Sequence, residues 1–449
     1  MTQPTASPPP APSGGHHEVS VVIPTRERRE TLGATLDALG EQRFPLERLE
    51  VVVVADGCTD GTPAMVRGYR APFALRLVEQ PAGGAARARN AGAAAASAPL
   101  LLFLDDDVVP APGLVAAHVR AQARAPGCVA MGYSRPSANA DGAGGDARAL
   151  WRQRWEDRFR TMAATGHRFT YRDLLSGNVS IAAPLFAAAG GFDEEMECRE
   201  DAELGARLLA AGVSFVYEPA AGGEHRGGGA AAAPRRRIEG RGDVRLGLRH
   251  AELRPGLELA RVEERAEPLA RSLRAVAFGA PRLGDVAAGA LARWLGVLER
   301  LGARRRWQRL HAAVGGYWYW RGVAEQVGGR RALAEFLHGG AAVVAGDRGG
   351  PPLDVDLEDG LPQAERALDA ARPASARLRY AGRAVGEIPP LPGAERLRGA
   401  HLRPALAGEA LAWRLLMAMT FARAAAAGGA SPRATPAGAG TRATSLVAD

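Results

Sequence analysis

The sequence predicts an α/β fold built on a mostly parallel, Rossmann-like sheet flanked by helices. Short apolar runs that are typical of buried strands, at residues 19–23 and 51–54, alternate with helical periodicity, as at residues 31–39. A weaker strand at residues 75–79 and an alanine-rich helix at residues 85–96 continue the alternation. Because neighbouring parallel strands are joined by crossovers that usually contain a helix, this order indicates βαβ units.

Composition limits the classes of partner and compartment that suit the chain. Its 449 residues are enough for two or three domains at roughly 150 residues each. The formal net charge of +8 is carried by arginine without lysine, and the arginines are scattered among acids, so the sequence predicts no nucleic-acid partner. Three widely spaced cysteines, Cys58, Cys128 and Cys198, predict no disulfide and favour a reducing cytoplasm. The sequence contains no run of about 18 apolar residues, so no membrane-spanning segment is expected.

The stretch at residues 100–110 carries the most chemistry, because a wholly apolar run is followed at once by Asp105, Asp106 and Asp107. The run suits a strand buried on both faces, as in a parallel sheet. Ligands of open α/β sheets bind just outside the carboxyl ends of the strands, and three carboxylates placed there repel one another unless a cation holds them. The stretch therefore predicts a site for Mg²⁺ or Mn²⁺ shared with a substrate phosphate. The alternative is a solvated acidic turn.

Six motifs follow one another along the chain in an order that resembles a known family. They are Val-Ser-Val-Val-Ile-Pro-Thr (19–25), Val-Val-Ala-Asp-Gly-Cys-Thr-Asp-Gly-Thr (53–62), Ala-Arg-Asn-Ala-Gly (88–92), Phe-Leu-Asp-Asp-Asp-Val-Val-Pro (103–110), Ser-Gly-Asn-Val-Ser (176–180) with Ala-Gly-Gly-Phe-Asp-Glu (189–194), and Glu-Asp-Ala-Glu-Leu (200–204). Together they make residues 18–227 similar to bacterial family 2 glycosyltransferases with the GT-A fold. The resemblance implies an inverting hexosyltransferase that needs Mn²⁺ or Mg²⁺. Such an enzyme moves a sugar from a nucleotide-sugar donor to an acceptor hydroxyl on a polysaccharide, a lipid-linked glycan or a metabolite.

The resemblance also implies roles for single residues. Asp107 and Asp105 are the acids of an Asp-x-Asp motif and would bind the cation, with His225 as a third ligand or a pyrophosphate contact. Asp201 would be the general base that deprotonates the acceptor hydroxyl, and Glu200 would position it. The donor-side residues are Pro24, Thr25, Glu27, Asp56, Arg89, Asn90, Asp105 and Asp106, and the acceptor-side residues are Gly177 and Asn178.

Two features depart from the family pattern. The second motif has Ala55-Asp56 where the family usually has two acids, so Asp56 alone would face the nucleotide base. Gln153-Arg154-Trp155 resembles a motif of processive polysaccharide synthases but precedes the Glu-Asp pair instead of following it. We therefore expect a local helix with exposed arginines and no processivity.

The residues alone leave simpler explanations open. Glu200 and Asp201 also suit the first turn of a helix, where the helix dipole favours negative charge. His225 is also explained as a loop histidine, Arg89 as part of an ion pair on a helix surface, and Gly177 with Asn178 as a plain turn. For the whole chain, the rival functions are a catalytically silent GT-A-like module that binds carbohydrate or a partner, and a nucleotidyltransferase.

The pattern changes after the last motif, which predicts further parts of the chain. A mainly helical extension follows, with triple-arginine runs that suit either solvated helix faces or peripheral contact with anionic lipid at the inner face of the membrane. The aromatic residues 317–320 suit packing in a core or at a membrane interface better than a sugar-stacking platform. The predicted organisation is a disordered leader (1–17), the GT-A catalytic domain (18–229), the helical extension (230–348), a small α/β accessory module (349–427) and a disordered tail (428–449).

Overall fold

The computed structural model describes residues 17–137, 145–227, 232–260, 268–346 and 350–427. The chain divides into two compact units, and each is described by itself. Unit 1 comprises Met1–Pro351 and Pro390–Leu397, and unit 2 comprises Pro352–Pro389 and Arg398–Asp449. The predicted tail and all but the last residue of the predicted leader lie outside the described residues. The division into catalytic domain, helical extension and accessory module stays a prediction, although residues 390–397 group with unit 1.

Unit 1 alternates strands and helices along its first half and is helical after residue 231. Its strands are β1 (Val19–Thr25), β2 (Leu49–Asp56), β3 (Ala74–Gln80), β4 (Leu100–Leu104), β5 (Val108–Pro110), β6 (Val129–Pro136), β7 (Asn178–Ala182) and β8 (Phe215–His225). Its helices are α1 (Arg29–Gly40), α2 (Thr62–Gly68), α3 (Ala85–Ala95), α4 (Leu114–Arg124), α5 (Asp146–Met162), α6 (Ala183–Ala188), α7 (Glu200–Ala210), α8 (Ala232–Arg249), α9 (Pro268–Gly279), α10 (Pro281–Arg300), α11 (Arg304–Val327) and α12 (Arg330–Gly346).

The described strands of unit 1 form one eight-stranded sheet in the order β3-β2-β1-β4-β7-β6-β8-β5. β3, β2, β1 and β4 are parallel neighbours, and β6 is parallel to β8. β7 runs antiparallel to both β4 and β6, and β5 runs antiparallel to β8. The predicted fold class, a mostly parallel α/β sheet flanked by helices with a helical C-terminal region, is confirmed.

Strand β4 is buried on both faces of the sheet, which explains why its apolar run contains no polar residue. Side chains alternate along a strand, so Leu101 and Phe103 face one side of the sheet while Leu102 and Leu104 face the other. All four are buried, because α5, α7, α8 and α11 cover the first side and α1, α2 and α4 cover the second. The acids that follow β4 are therefore held at the end of a strand that is enclosed on both faces.

The aromatic stretch of α11 packs inside unit 1. Tyr317 and Tyr319 are each 1% exposed, and the Tyr319 hydroxyl donates a 2.7 Å hydrogen bond to Asp243 of α8. Gly240 and Gly322 lie where the two helices meet, and a Cβ on either residue would overlap with the other helix's backbone. Of the two packing roles predicted for this stretch, core or membrane interface, Tyr317 and Tyr319 show packing in the core.

Unit 2 is a small α/β arrangement. It consists of β9 (Leu353–Asp356), α13 (Leu361–Ala371), β10 (Ala376–Tyr380), β11 (Arg383–Ile388), α14 (Leu402–Ala407) and α15 (Glu409–Ala427). β10 pairs in parallel with β9 and antiparallel with β11. Within the described residues no single helix is both long and apolar enough to cross a membrane. The segments Gly399–Ala407 and Glu409–Ala424 pass the same test only as a pair, across a 90° bend.

Candidate active site

The carboxyl ends of three adjacent parallel strands gather polar side chains at one edge of the sheet. Thr25 ends β1, Asp56 ends β2, and Asp105 directly follows β4. Because β1 lies between β2 and β4 and all three run the same way, these residues share an edge. This edge is where open α/β sheets bind ligands.

Asp106 and Asp107 are held by a residue that the sequence motifs did not single out. Arg28 Nη1 donates to Asp107 Oδ2 at 2.6 Å and to Asp106 Oδ1 at 3.0 Å. The Thr25 hydroxyl donates to Asp106 Oδ2 at 2.7 Å. Burial raises the pKa of Asp106 to about 6, against the opposing effects of Arg28 and Thr25. Asp106 therefore points into the protein, so the alternative of a solvated acidic turn is wrong.

The residues proposed to bind a cation are neighbours, but they do not form a complete cage. His225 Nε2 lies 3.5 Å from Asp107 Oδ1, while Asp105 Oδ1 accepts a 2.7 Å hydrogen bond from Arg89. Across the described parts of the chain, no group of three or more His, Cys, Asp or Glu side chains is placed to hold a metal ion. A carboxylate beside an imidazole suits Mn²⁺ chemically, but both Asp105 and Asp107 are engaged by arginine. The fit to a cation is therefore partial.

Arg89 joins the two acidic motifs. Its Nη2 donates to Asp105 after β4, and its Nη1 donates to Glu200 Oε1 at 3.0 Å in the first turn of α7. Arg89 is only 5% exposed, so the alternative of an ion pair on a helix surface is wrong. Burial and the adjacent Asp201 raise the pKa of Glu200, against the effect of Arg89. The structure thus brings Asp105, predicted on the donor side, and Glu200, predicted to position the base, together through one buried arginine.

Asp201 presents a carboxylate that is less engaged than that of Glu200. Its Oδ1 accepts a 2.7 Å hydrogen bond from the Ala202 backbone N–H, and within the described residues its Oδ2 accepts none. Arg199 precedes the pair with a left-handed φ of 70°, and its side chain donates to Asp243 at 2.8 Å. This turn starts α7 so that Glu200 and Asp201 both lie on its first turn.

Asp56 shapes the loop that leads into α3. Its Oδ1 accepts hydrogen bonds from Gln80 at 2.8 Å and from the Gly83 N–H at 2.7 Å, and its Oδ2 accepts one from the Gly84 N–H at 2.9 Å. Gly84 adopts φ 88°, which favours glycine. The buried Asp56 therefore ties β2 to the loop before α3, and its contact with a nucleotide base stays a prediction.

Residues at and just after the end of β1 contact the loop that follows β2. Glu27 has φ 53°, and its Oε1 accepts hydrogen bonds from the Thr59 N–H at 2.6 Å and the Thr59 hydroxyl at 3.1 Å. Pro24 pairs with Val54 inside the sheet, one residue before Thr25. Glu27 thus fixes the loop after β2 beside the strand ends, and the donor roles of Pro24 and Glu27 stay predictions.

Asn90 holds the glycine-rich turn in front of α7. Its side chain donates to the Phe192 carbonyl at 2.8 Å and to Glu194 at 3.0 Å, and it accepts a 2.9 Å hydrogen bond from the Phe192 N–H. Gly191 has φ 69°, and a Cβ there would lie 2.7 Å from Asn90 Oδ1. Asn90 therefore positions this turn, and its predicted donor contact is untested.

Gly177 and Asn178 lie beside β4, but Gly177 contacts the acidic motif whereas Asn178 is buried inside the protein. The Gly177 carbonyl accepts a 3.0 Å hydrogen bond from the Asp105 N–H, and a Cβ on Gly177 would overlap with the Asp105 carboxylate. Asn178 is 2% exposed, and its amide bonds to the Ala221 carbonyl at 2.9 Å and to His118 at 2.9 Å. Asn178 therefore links β7, β8 and α4 within the protein instead of forming a plain turn.

Two tryptophans of α5 form an aromatic surface against His225. The rings of Trp151 and Trp155 lie 5.7 and 5.4 Å from the His225 ring, and they stack on each other at 5.3 Å. Trp155 also donates a 2.6 Å hydrogen bond to the Ser134 carbonyl. Residues 152–154 are exposed on this helix, as expected. The sequence signal for this surface was the i, i+4 spacing of the tryptophans, but nothing local linked it to His225.

Comparison with known proteins identifies the part of the chain that carries this edge. Residues 20–176 match the model of glycosyl transferase family 2. This stretch is a family 2 glycosyltransferase domain. The match ends before Glu200, so Glu200, Asp201 and His225 lie beyond it.

Curated relatives are also glycosyltransferases. The validoxylamine A glucosyltransferase of Streptomyces hygroscopicus subsp. jinggangensis is 36% identical in an alignment 228 residues long, which covers 44% of this chain and 53% of that protein. The pre-mycofactocin glycosyltransferase of Mycobacterium tuberculosis is 28% identical in an alignment 254 residues long, which covers 55% of this chain and 52% of that protein. The chain thus spans about half the length of these relatives.

A solved structure shows a weaker likeness. The mannosyltransferase PcManGT from Pyrobaculum calidifontis, in complex with GDP-Man and Mn²⁺, gives a TM-score of 0.42 at 20% identity. The match covers 75% of this chain and 83% of that one. A TM-score at this level carries no argument about the site.

Proposed function

We propose that this protein is an inverting glycosyltransferase that transfers a hexose from a nucleotide-sugar donor to an acceptor hydroxyl. The observation that carries the proposal is the Arg89 bridge between Asp105 and Glu200. It places the end of β4, in the family 2 domain, next to the Glu-Asp pair that begins α7. A donor bound at the strand ends and an acceptor bound at α7 would therefore meet across one side chain.

The donor would occupy the edge formed by β1, β2 and β4. Thr25 and Asp56 lie at the ends of neighbouring strands, and Glu27 fixes the adjoining loop. Arg28 already faces this edge and carries the positive charge that a diphosphate requires. We assign the nucleotide to this edge, with the sugar directed towards Asp105.

Asp201 would act as the general base. In the reaction, the acceptor oxygen forms a bond to the anomeric carbon while its proton passes to the Asp201 carboxylate. The bond from that carbon to the diphosphate oxygen breaks, and its electron pair leaves with the diphosphate. Glu200 is the less suitable base, because its carboxylate already accepts a hydrogen bond from Arg89. A base on the face opposite the leaving group gives inversion.

A divalent cation would be held by Asp107 and His225, the pair whose Oδ1 and Nε2 lie 3.5 Å apart. When bound, it would supply positive charge against the departing diphosphate. The partial fit of the protein ligands supports a cation that arrives with the donor phosphates and not a resident metal. Mn²⁺ and Mg²⁺ are both proposed.

The relatives suggest which substrates to test first. One is named for glucosyl transfer to validoxylamine A and another for transfer to pre-mycofactocin. A glucosyl donor and a small-molecule acceptor are therefore the first candidates, with glycan and lipid-linked acceptors next. We place the reaction in the cytoplasm, where nucleotide sugars would meet the site.

The first experiment is a thermal-shift screen with UDP, GDP and dTDP, each with Mn²⁺, Mg²⁺ or EDTA. A ligand that binds the native state raises the melting temperature by mass action. We expect one nucleotide to shift the wild type in a cation-dependent way, and Asp107→Ala to abolish that shift. Asp157→Ala, an exposed acid on α5, is the matched control.

Each outcome separates the alternatives. A shift that resists EDTA and survives in Asp107→Ala would overturn the cation assignment but leave the donor site. If the protein is folded but none of the nucleotides raises its melting temperature, the silent binding module would be favoured. Release of nucleoside diphosphate from UDP-glucose with an acceptor present would then measure transfer itself.

A further inference from the structure

Helix α10 packs on unit 1 through small residues. Gly284 and Ala288 are buried against Tyr317 of α11. The Tyr317 hydroxyl donates to Asp285 at 2.6 Å and also lies 2.9 Å from the Pro281 carbonyl oxygen. This packing fixes the rotation of α10 about its axis. The opposite face of the helix therefore points away from its neighbours.

That opposite face carries large apolar side chains. Their spacing of three, eight, three and four residues keeps them on one line along a helix of about 3.6 residues per turn. Their exposed fractions range from 39% to 73%. We call this surface the α10 stripe, and it consists of Leu283, Val286, Trp294, Val297 and Leu301.

Arginines border the stripe along one side. Arg282, Arg293 and Arg300 are exposed, and in the described structure none of them forms an ion pair with an acid. The exposed Arg305 and Arg306 follow at the start of α11 and are likewise unpaired among the described side chains. An apolar line beside a row of cations is the pattern of a helix that lies in a membrane interface.

The acids of α10 do not offset these charges. Asp285 accepts a hydrogen bond from Tyr317 and lies 3.4 Å from Arg321 Nε. Glu299 accepts a 2.9 Å hydrogen bond from the backbone N–H of Asp146 at the start of α5. Both acids are directed to neighbouring helices, so the border of the stripe stays basic.

We propose that the α10 stripe docks this protein on an anionic lipid bilayer. Leu283, Trp294 and Leu301 would enter the boundary between head groups and acyl chains, and Arg293 and Arg300 would contact lipid phosphates. A second copy of the chain is the less suitable occupant, because pairing two stripes would bring basic borders together without acids to match them. The proposal is independent of the transferase reaction, since docking needs no donor or turnover.

The test measures sedimentation of the full chain with vesicles of phosphatidylcholine alone or of equal parts phosphatidylcholine and phosphatidylglycerol. We expect binding to the anionic vesicles only, weakening as salt is raised. Trp294→Gln combined with Leu301→Gln should lower the partition coefficient about tenfold or more, since each exchange removes apolar area from the interface. Arg293→Gln with Arg300→Gln should lower it by a similar factor for anionic vesicles.

The control is Leu248→Gln in α8, which is 61% exposed, close to the 59% of Trp294, and lies outside the stripe. Its partition should match the wild type. Equal binding by the stripe variants, or no binding of the wild type to anionic vesicles, would overturn the proposal. A lipid-free dimer by light scattering that the stripe variants convert to monomer would also overturn it and assign the stripe to a second copy.

Discussion

Arg89 Nη1 and Glu200 Oε1 are joined by a 3.0 Å hydrogen bond, although 111 residues separate the two in the sequence. The same guanidinium also binds Asp105, so one buried cation balances acids from two distant motifs. An arginine can do this because its planar fork donates in two directions at once. Its position connects the end of the central strand to the first turn of α7.

We expect Arg89→Met to reduce transfer by about 100-fold or more, because Asp105 and Glu200 would repel each other and move apart. The free energy of unfolding should fall by about 3 kcal/mol, the cost of leaving a buried acid unpaired. Initial rates and urea denaturation measure the two effects. Arg87→Met, an exposed arginine on the same helix, is the control. Unchanged activity in folded Arg89→Met would contradict the role of the bridge.

Asp201→Asn tests the base. Removing a general base lowers kcat by roughly 10²–10⁴-fold, while the thermal shift produced by the nucleotide should not change. Glu200→Gln should lower kcat less, because an amide oxygen still accepts from Arg89. The exposed Glu197→Gln serves as a control from the segment just before α7. If Glu200→Gln were the more damaging change, the two roles would have to be exchanged.

Arg28→Ala tests whether arginine and a divalent cation compete for Asp107. Arg28 Nη1 lies 2.6 Å from Asp107 Oδ2, so the substitution frees a carboxylate oxygen and removes one positive charge from beside it. We expect Mn²⁺ to bind the variant about threefold to tenfold more tightly, as read from the electron paramagnetic resonance signal of free Mn²⁺. Arg26→Ala, on the exposed surface two residues earlier, should leave the affinity unchanged. Equal affinities for Arg28→Ala and wild type would exclude the competition.

Gly177→Ala tests the close approach between β7 and the acidic motif. An added Cβ would overlap with the Asp105 carboxylate and push it away from Arg89. Transfer should fall about tenfold or more with a small loss of stability, since bringing a side chain out of place by even about 1 Å is costly for catalysis. Gly33→Ala on α1 has open space around it and is the matched control. Wild-type rates in Gly177→Ala would show that the Asp105 position is not critical.

His250 and Glu203 give a pH dependence of stability away from the strand ends. The hydrogen bond to Glu203 raises the pKa of His250 above 6.5 against burial. Burial acts to raise the pKa of Glu203, but hydrogen bonds from His250 and Arg207 lower it from 4.5 to about 2. The Glu203 contribution is present above pH 4.5 and is lost as the pH falls towards 2. The His250 contribution is complete below pH 6.5 and is lost as the pH rises through its raised pKa.

The melting temperature of wild type minus that of His250→Gln should therefore be largest between pH 4.5 and 6.5 and should shrink on either side. Scanning calorimetry from about pH 2 to pH 9 measures this difference. His338→Gln, an exposed histidine of α12, should show no such maximum. A difference that stays constant with pH would mean that the pair contributes packing and not charge.

The strand-end residues could be predicted because their positions follow from local pattern. Asp105 follows an apolar run and Thr25 ends a β-branched run, so alternation of strands and helices places both at one edge. Arg28 could have been found by the same logic, since it follows β1 by three residues. The bond between Arg89 and Glu200 could not, because it depends on how α3 and α7 pack against the sheet.

Other differences arise where tertiary packing decides the environment of a side chain. Asn178 reads as a turn residue from composition, but β7 begins there and its amide is enclosed by β8 and α4. The acidic triplet alone also suits a solvated turn, but Asp106 is buried and accepts hydrogen bonds from Thr25 and Arg28. Sequence spacing gives the element on which a residue lies, while burial is set by what packs upon that element.

The return of the chain to unit 1 at Pro390–Leu397 limits how this protein can be shortened or recombined. In that segment the Gly393 carbonyl accepts from the Tyr171 N–H at 2.7 Å, and the Glu395 N–H donates to the Phe169 carbonyl at 2.8 Å. A stop codon after Pro351 would remove this segment together with its backbone hydrogen bonds. Phe169 and Tyr171, which are buried in the intact chain, would then be uncovered. No single cut therefore yields a complete unit 1. Because the chain crosses between the units three times, after Pro351, Pro389 and Leu397, the two units would be gained, lost or exchanged together.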